Sequence, residues 1–341
     1  MNAALPTSAE SSAETSAAFQ HRHAAHCESG AISTLVSHAG LPLSEAMAFG
    51  LSGALAFAYL PFVKLQGLPL IAYRMPPRAI IRGLAKPLGL KLSFETFRRP
   101  EAGQARLDQL LDAGEVVGLQ TSVFWLSYFP EDMRFHFNGH NLLVIGREGD
   151  DYLISDPVFE TPQRCSRADL ARARFAKGLL APKGLLYRVL GVERAGIDPK
   201  AVLAAIRRTA RAMLAPVPIV GVRAMGLLAK RIAALDPQAP ASAAFVGHVV
   251  RMQEEIGTGG AGFRFLYAAF LQEAAELCDK PVLAEFSARL LTIGDHWRVF
   301  ALRAARMLKG RETLDPSALA ALLREQAERE AAFFRDLRGA L

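Results

Sequence analysis

The chain has 341 residues, 51% hydrophobic and 21% charged, enough apolar material for two domains of ordinary size, which excludes a largely disordered or fibrous protein. Its three cysteines, Cys27, Cys165 and Cys278, lie too far apart in sequence for a disulfide framework or a zinc cluster, so a reducing, cytoplasmic setting is expected. The formal net charge of +7 favours acidic partners, but it is dispersed with no block of five like charges, which argues against nucleic acid.

Residues 1–18, "MNAALPTSAESSAETSAA", lack the basic start and apolar centre of a signal peptide and read as a small, polar, disordered tail. A helix is predicted over 27–38, and Ser44 followed by Glu45 marks the start of a second, short one. Residues 46–63 run for 18 positions without a charge, barely the length of a bilayer span. Gly50, Ser52, Gly53 and Pro61 interrupt that run, so it reads as a short helix, a turn and a buried strand, with no membrane span. Pro77 is placed as the first residue of a helix reaching about Leu88. On that helix Arg78, Arg82 and Lys86 recur every four residues, as a solvated face or as a docking stripe for an acidic carrier protein or its phosphate. Next come a strand over 91–97, a helix over 103–113 and a strand over 115–126. "HNLLVIGREGDDYLISDP" sets two apolar runs about a polar turn, the pattern of a β-hairpin. A helix near 166–176 and a strand over 185–192 complete a first domain, residues 19–192.

After Gly196 the pattern changes. Residues 197–341 are rich in Ala, Leu, Arg and Glu at helical spacing, with almost no strand signal. Breaks at 215–218, 236–242, 257–262, 279–281 and 314–318 divide this second, all-α domain into five or so helices, and its apolar faces suit a homodimer. "GTGGAGFRFLYAAFLQEAAEL" places glycines ahead of a helix, which invites a phosphate-binding reading, but the P-loop lysine is missing. Arg264 and the loop 257–262 are expected either to face the first domain and help close a cleft, or to pack between helices.

The chemistry concentrates on "HRHAAHCESG". Cys27 stands where a helix begins, and there the unpaired amides and the macrodipole favour a thiolate. The other readings of Cys27 are a buried, inert thiol or a metal ligand beside His21, His23 and His26. H-x-H-x-x-H-C is not a usual zinc spacing and no distant ligand pair accompanies it, so no metal is assigned. A nucleophilic thiolate needs a base and a group to orient that base. His140 opens the first strand of the predicted hairpin and Asp156 closes the second, so antiparallel pairing brings the two side by side. His38, His136, His248 and His296 read as structural or surface residues.

"HCESGAISTLVSHAGLPLSEAMAFGLSGALAFAY", then "GHNLLVIG", then "SDP", resemble the butirosin biosynthesis protein H amino-terminal family, and "GTGGAGFRFLYAAFLQEAAEL" resembles the helical domain fused behind it. The resemblance implies an α+β, papain-like fold, similar to the processing domains of bacteriocin exporters, followed by an all-α domain. It implies acyl transfer, since the family's namesake passes an aminoacyl group from the phosphopantetheine thioester of an acyl carrier protein to an amine of an aminoglycoside. Carried onto this chain, Cys27 is the nucleophile, His140 the base and then the acid, and Asp156 the orienting carboxylate. An acyl carrier protein and a small-molecule acceptor are then the partners; no resident cofactor is implied, the phosphopantetheine thioester being a substrate. A thioesterase or amide hydrolase with the same triad, or a catalytically silent binding scaffold, are the alternatives.

The backbone N–H of Cys27 would help hold an oxyanion. The peptidase relatives use a polar side chain just upstream of the cysteine, which points to Gln20, His21 or His23, while His26 would pack beside the nucleophile or tune it. Glu28 stands where exporter peptidases carry Gly, as in the biosynthetic family, and is counted among the substrate or oxyanion residues. Glu45 is either part of a helix start or a cleft residue binding an acceptor amine. Family members often carry an Asp in the strand before the histidine, where this chain has Ser122.

Overall fold

The computed structural model describes residues 19–65, 67–255 and 259–341. The tail predicted over 1–18 and the start of the glycine-rich loop at 257–258 lie outside the described residues.

Helix α1, Cys27–His38, starts at His26, whose extended backbone and ring nitrogen cap the amide of Ser29. Residues 27–36 are all buried, so α1 runs through the interior. Ser44 caps α2, Glu45–Leu51, by accepting the amide of Met47. The uncharged run then divides as its glycines suggest: after a turn at Ser52–Gly53 it continues as strand β1, Leu55–Leu65. β1 pairs antiparallel with β2, Leu68–Arg74, a strand the sequence reading missed because Pro69 stands near its start.

The helix expected from Pro77 starts later: α3 is Ala79–Leu88, preceded by Arg78 in a left-handed conformation (φ 73°). Its first amides are capped from α1, with Glu28 Oε1 accepting the N–H groups of Ile80 at 3.0 Å and Ile81 at 3.4 Å. Then follow β3 (Leu90–Glu95), α4 (Pro100–Asp112), β4 (Val117–Thr121), β5 (His140–Glu148), β6 (Asp151–Ser155), β7 (Gln163–Ser166), α5 (Arg167–Arg174) and β8 (Leu186–Val192). The strand predicted to reach 126 ends at Thr121, where the chain enters a single 3-10 turn over Val123–Trp125. Six of these strands form one antiparallel sheet in the order β3-β8-β4-β5-β6-β7.

The two faces of the sheet serve different cores. Leu119, Leu142 and Val144 pack with Leu107 and Leu110 of α4 and Leu170 of α5. Leu143 and Tyr187 face α1 and join the larger core. An interior helix laid on an antiparallel sheet, with helices on the far side, is an α+β arrangement.

The carboxy-terminal part is α6 (Pro199–Met213), α7 (Gly221–Ala233), α8 (Pro240–Glu254), α9 (Arg264–Leu277), α10 (Val282–Leu308) and α11 (Pro316–Gly339), separated at the predicted breaks. Pro199, Pro240 and Pro316 occupy first helical positions, where the missing N–H costs nothing. The larger core runs without interruption from Ile32 of α1 through Phe57 and Tyr73 of the β1–β2 hairpin to Trp297 and Phe333. Gly50 makes one such contact possible: a Cβ there would lie 2.0 Å from the ring of Phe270, so α2 and α9 meet backbone to ring. Among the described residues, no helix is long and apolar enough to cross a membrane.

Candidate active site

Cys27 is the first residue of α1 and keeps 7% of its surface exposed. Across from it His140 opens β5, directly opposite Thr121 of β4. Asp156 follows the last residue of β6. Its Oδ2 accepts the N–H of His140 Nε2 at 2.6 Å, and its Oδ1 accepts the amide of Val158 at 3.1 Å. With Nε2 engaged by Asp156, the His140 ring also interacts with Cys27, which helps to raise its pKa. The structure thus brings together the three residues the sequence proposed as nucleophile, base and orienter.

Backbone contacts fix this meeting point. The amide of Ala24 donates to the carbonyl of Pro157 at 2.8 Å, joining the segment before Cys27 to the turn after Asp156. Gly30 lets that pair lie flat on α1: a Cβ there would stand 2.5 Å from Cβ of Ala24 and 2.8 Å from Cβ of Pro157. His21 completes the strap, its ring bonding Ser155 Oγ at 2.7 Å and the carbonyl of Phe159 at 2.9 Å. Its part is therefore to hold the segment, in place of the oxyanion role assigned from sequence.

Electrostatics favour an ion pair. Burial alone would pull the pKa of His140 down, but the charge and hydrogen bond of Asp156, helped by Cys27, push it up to about 10. The imidazolium so favoured is the partner a thiolate needs. Burial, then the carboxylates of Asp169 and Asp151, push the Cys165 thiol up to about 12, as expected of an inert thiol. His26 is driven down by burial, then by Arg74 and His140; it stays neutral and serves as the cap of α1.

Several other predicted site residues have different work. Glu28 is fully buried, caps α3 and pairs with Arg74 at 3.2 Å, so it is a structural carboxylate instead of a substrate ligand. Glu45 accepts the amides of Ala25 and His26, both at 2.8 Å, and the hydroxyl of Ser29 at 3.0 Å. Those bonds aim its oxygens at the segment before Cys27 and correct the reading of Glu45 as an amine site. Gln20 and His23 are exposed on the segment before Cys27. Arg264 is fully buried in an ion pair with Glu330, with Nε to Oε1 at 2.9 Å and a second contact to Oε2 at 2.8 Å. It therefore packs between helices, with its guanidinium also over the ring of Tyr73 from β2, so both expected placements meet in one buried residue. Ser122 carries no acid into the site; its neighbour Gln120 instead accepts from Arg78 Nε at 2.8 Å, which takes Arg78 out of the exposed stripe and leaves Arg82 and Lys86 at the surface. Among the described residues, no three His, Cys, Asp or Glu side chains gather as a metal site would require.

The sequence reading missed an aromatic shell in the loop before β5. Tyr128 donates its hydroxyl to Asp156 Oδ2 at 2.7 Å, and Phe129 stands edge to face with His140 at 5.5 Å. The signal was present as the aromatic run "VFWLSYFPEDMRFHFNGH", but an aromatic run alone does not say which ring reaches the acid.

No curated protein matches the chain. A similar solved structure, a provisionally assigned C39-like peptidase from Bacillus anthracis, is 14% identical with a TM-score of 0.35, over 52% of this chain and 96% of that one. Residues 26–157 match the family model "Butirosin biosynthesis protein H, N-terminal", and residues 168–337 match "Domain of unknown function (DUF4872)". Cys27, His140 and Asp156 all fall inside the first match, so the segment that holds them is similar to the butirosin biosynthesis protein H N-terminal family, and a DUF4872 match follows it.

Proposed function

We propose that this chain is a cysteine-dependent acyltransferase of specialised metabolism. Its donor is the phosphopantetheine thioester of an acyl carrier protein, or a coenzyme A thioester, and its acceptor is an amine or hydroxyl. The observation that carries the reading is the buried line from the Cys27 thiol through the His140 ring to Asp156. The family's name, which refers to a biosynthetic protein, supports group transfer over peptide cleavage.

The thiolate of Cys27 attacks the donor's carbonyl carbon, and a new C–S bond forms. The donor sulfur leaves with its bonding electrons and takes the proton of His140. An acceptor amine then attacks the Cys27 thioester and gives its proton to His140, and Cys27 leaves as thiolate, restoring the starting pair. The oxyanion of each step lies at the N-terminus of α1, where first-turn amides have no intrahelical acceptor; one such donor is worth about 3 kcal/mol of barrier. His140 and Asp156, 3% and 0% exposed, sit where little water competes with the acceptor. Arg82 and Lys86, exposed on α3, suit the docking of an acidic carrier.

The test is intact mass after incubation with acyl-loaded carrier protein or acyl-coenzyme A. A single acyl adduct mapping to Cys27, absent from Cys27→Ser and discharged onto an added amine, is expected. Discharge to water at the same rate with and without amine makes the chain a hydrolase, and no adduct makes it a scaffold.

A further inference from the structure

Asp156 Oδ2 accepts two hydrogen bonds, from His140 Nε2 at 2.6 Å and from the hydroxyl of Tyr128 at 2.7 Å. The second donor is not needed to orient the acid, since Val158 already holds Oδ1 through its amide. Nor does it fill solvent-facing space: Tyr128 packs on Phe129 and Phe159, with centroids 5.2 and 5.4 Å away. A hydroxyl placed on the very oxygen that holds the imidazole competes for that oxygen's charge.

We infer that Tyr128 is a positioning residue that limits how tightly Asp156 holds the proton of His140, through a hydrogen bond shared on Oδ2. This rests on the reading of Cys27, His140 and Asp156 as the reacting line. A histidine alternately acid and base must both keep and release its proton, and Asp156 unopposed would favour keeping it. Each bond donated to a carboxylate disperses its charge and makes it a weaker partner for a cation. Tyr128 serves this end because burial, followed by the Asp156 charge, holds its own hydroxyl proton well beyond the ordinary range, so it remains a donor across the working pH. The other titratable groups facing the cluster are Cys27 and Glu28 from α1, His26 at its cap, Tyr187 from β8, Cys165 from β7 and Arg74 from β2, all of which Tyr128→Phe leaves in place.

The test is the pH profile of Cys27 alkylation by iodoacetate, followed by brief pH jumps on the full chain. This anionic reagent reports two events: its rate rises as the thiolate forms and falls as His140 loses the charge that draws the reagent in. Tyr128→Phe is expected to move the falling limb up by about half a pH unit or more and to leave the rising limb in place. 3-Fluorotyrosine at position 128, a stronger donor of nearly the same size, is expected to move the falling limb down, and it keeps the test open should Tyr128→Phe fold poorly. A purely structural tyrosine would lower the melting temperature or the amplitude and leave both limbs where they are, which overturns the inference alone. A wild-type protein with no falling limb and the rising limb of an ordinary thiol, near about 8.5, would remove the Cys27–His140 pair and with it the proposed function.

Discussion

Replacing Asp156 by Asn keeps the shape of the side chain and the bond to Val158 but removes the charge that outweighs burial at His140. In Asp156→Asn burial prevails, the imidazole is neutral at pH 7, and alkylation of Cys27 at that pH falls by roughly 10- to 100-fold. Stability reads the same change. The folded pKa of His140 stands above its ordinary value of 6.5, so its contribution is fully present below 6.5 and fades as pH rises through about 10. Urea unfolding at stepped pH should show the wild-type advantage over Asp156→Asn shrinking across that window. An advantage constant from pH 6 to 10 would mean that His140 carries no raised pKa. At this scale the placement of Cys27, His140 and Asp156 was legible because each leaves a local mark: a helix start at Cys27, a strand start at His140, a "DP" strand end at Asp156. Glu28 was misread, and Glu45 and Arg264 were left with two readings, because a carboxylate or guanidinium looks alike in sequence whether it meets substrate or the amides and charges of a distant element.

Elements were legible wherever their signal is local. α1 runs over the predicted residues, and every predicted break between the carboxy-terminal helices falls where one ends, because prolines, glycines and caps act within a few residues. α3 shows the limit of that rule. Pro77 suggested an earlier start, but the helix begins where Glu28 of α1 supplies an acceptor for its orphan amides. Glu28→Ala removes that cap and leaves Arg74, 12% exposed, without its carboxylate, so a loss of about 3–5 kcal/mol is expected in urea unfolding. Glu28→Gln keeps an acceptor oxygen and loses less. In both, iodoacetamide alkylation of Cys27 per folded molecule should stay as in the wild type. Unaltered stability with slowed alkylation would return Glu28 to the reaction.

Composition changes sharply near residue 196, and from sequence the two sides read as separate domains. What composition does not carry is that the β1–β2 hairpin, encoded early, buries Phe57 and Tyr73 against Trp297 of the helical part. The join is locked by Arg264, whose guanidinium lies 5.7 Å from the ring of Tyr73 and 5.5 Å from that of Trp297 while it pairs with Glu330. Glu330 also accepts the indole N–H of Trp297 at 2.6 Å. Arg264→Met strands Glu330 as a buried, unpaired charge at a cost of about 3–5 kcal/mol. The double variant Arg264→Met, Glu330→Leu removes the stranded charge and should recover part of that loss. Because a single core passes from α1 through the hairpin to α11, this loss is shared by the whole chain. Calorimetry should therefore show one transition, moved down as a unit in Arg264→Met and partly restored in the double variant. Two transitions, with only the later-encoded helices destabilised, would mean that the hairpin does not couple the halves.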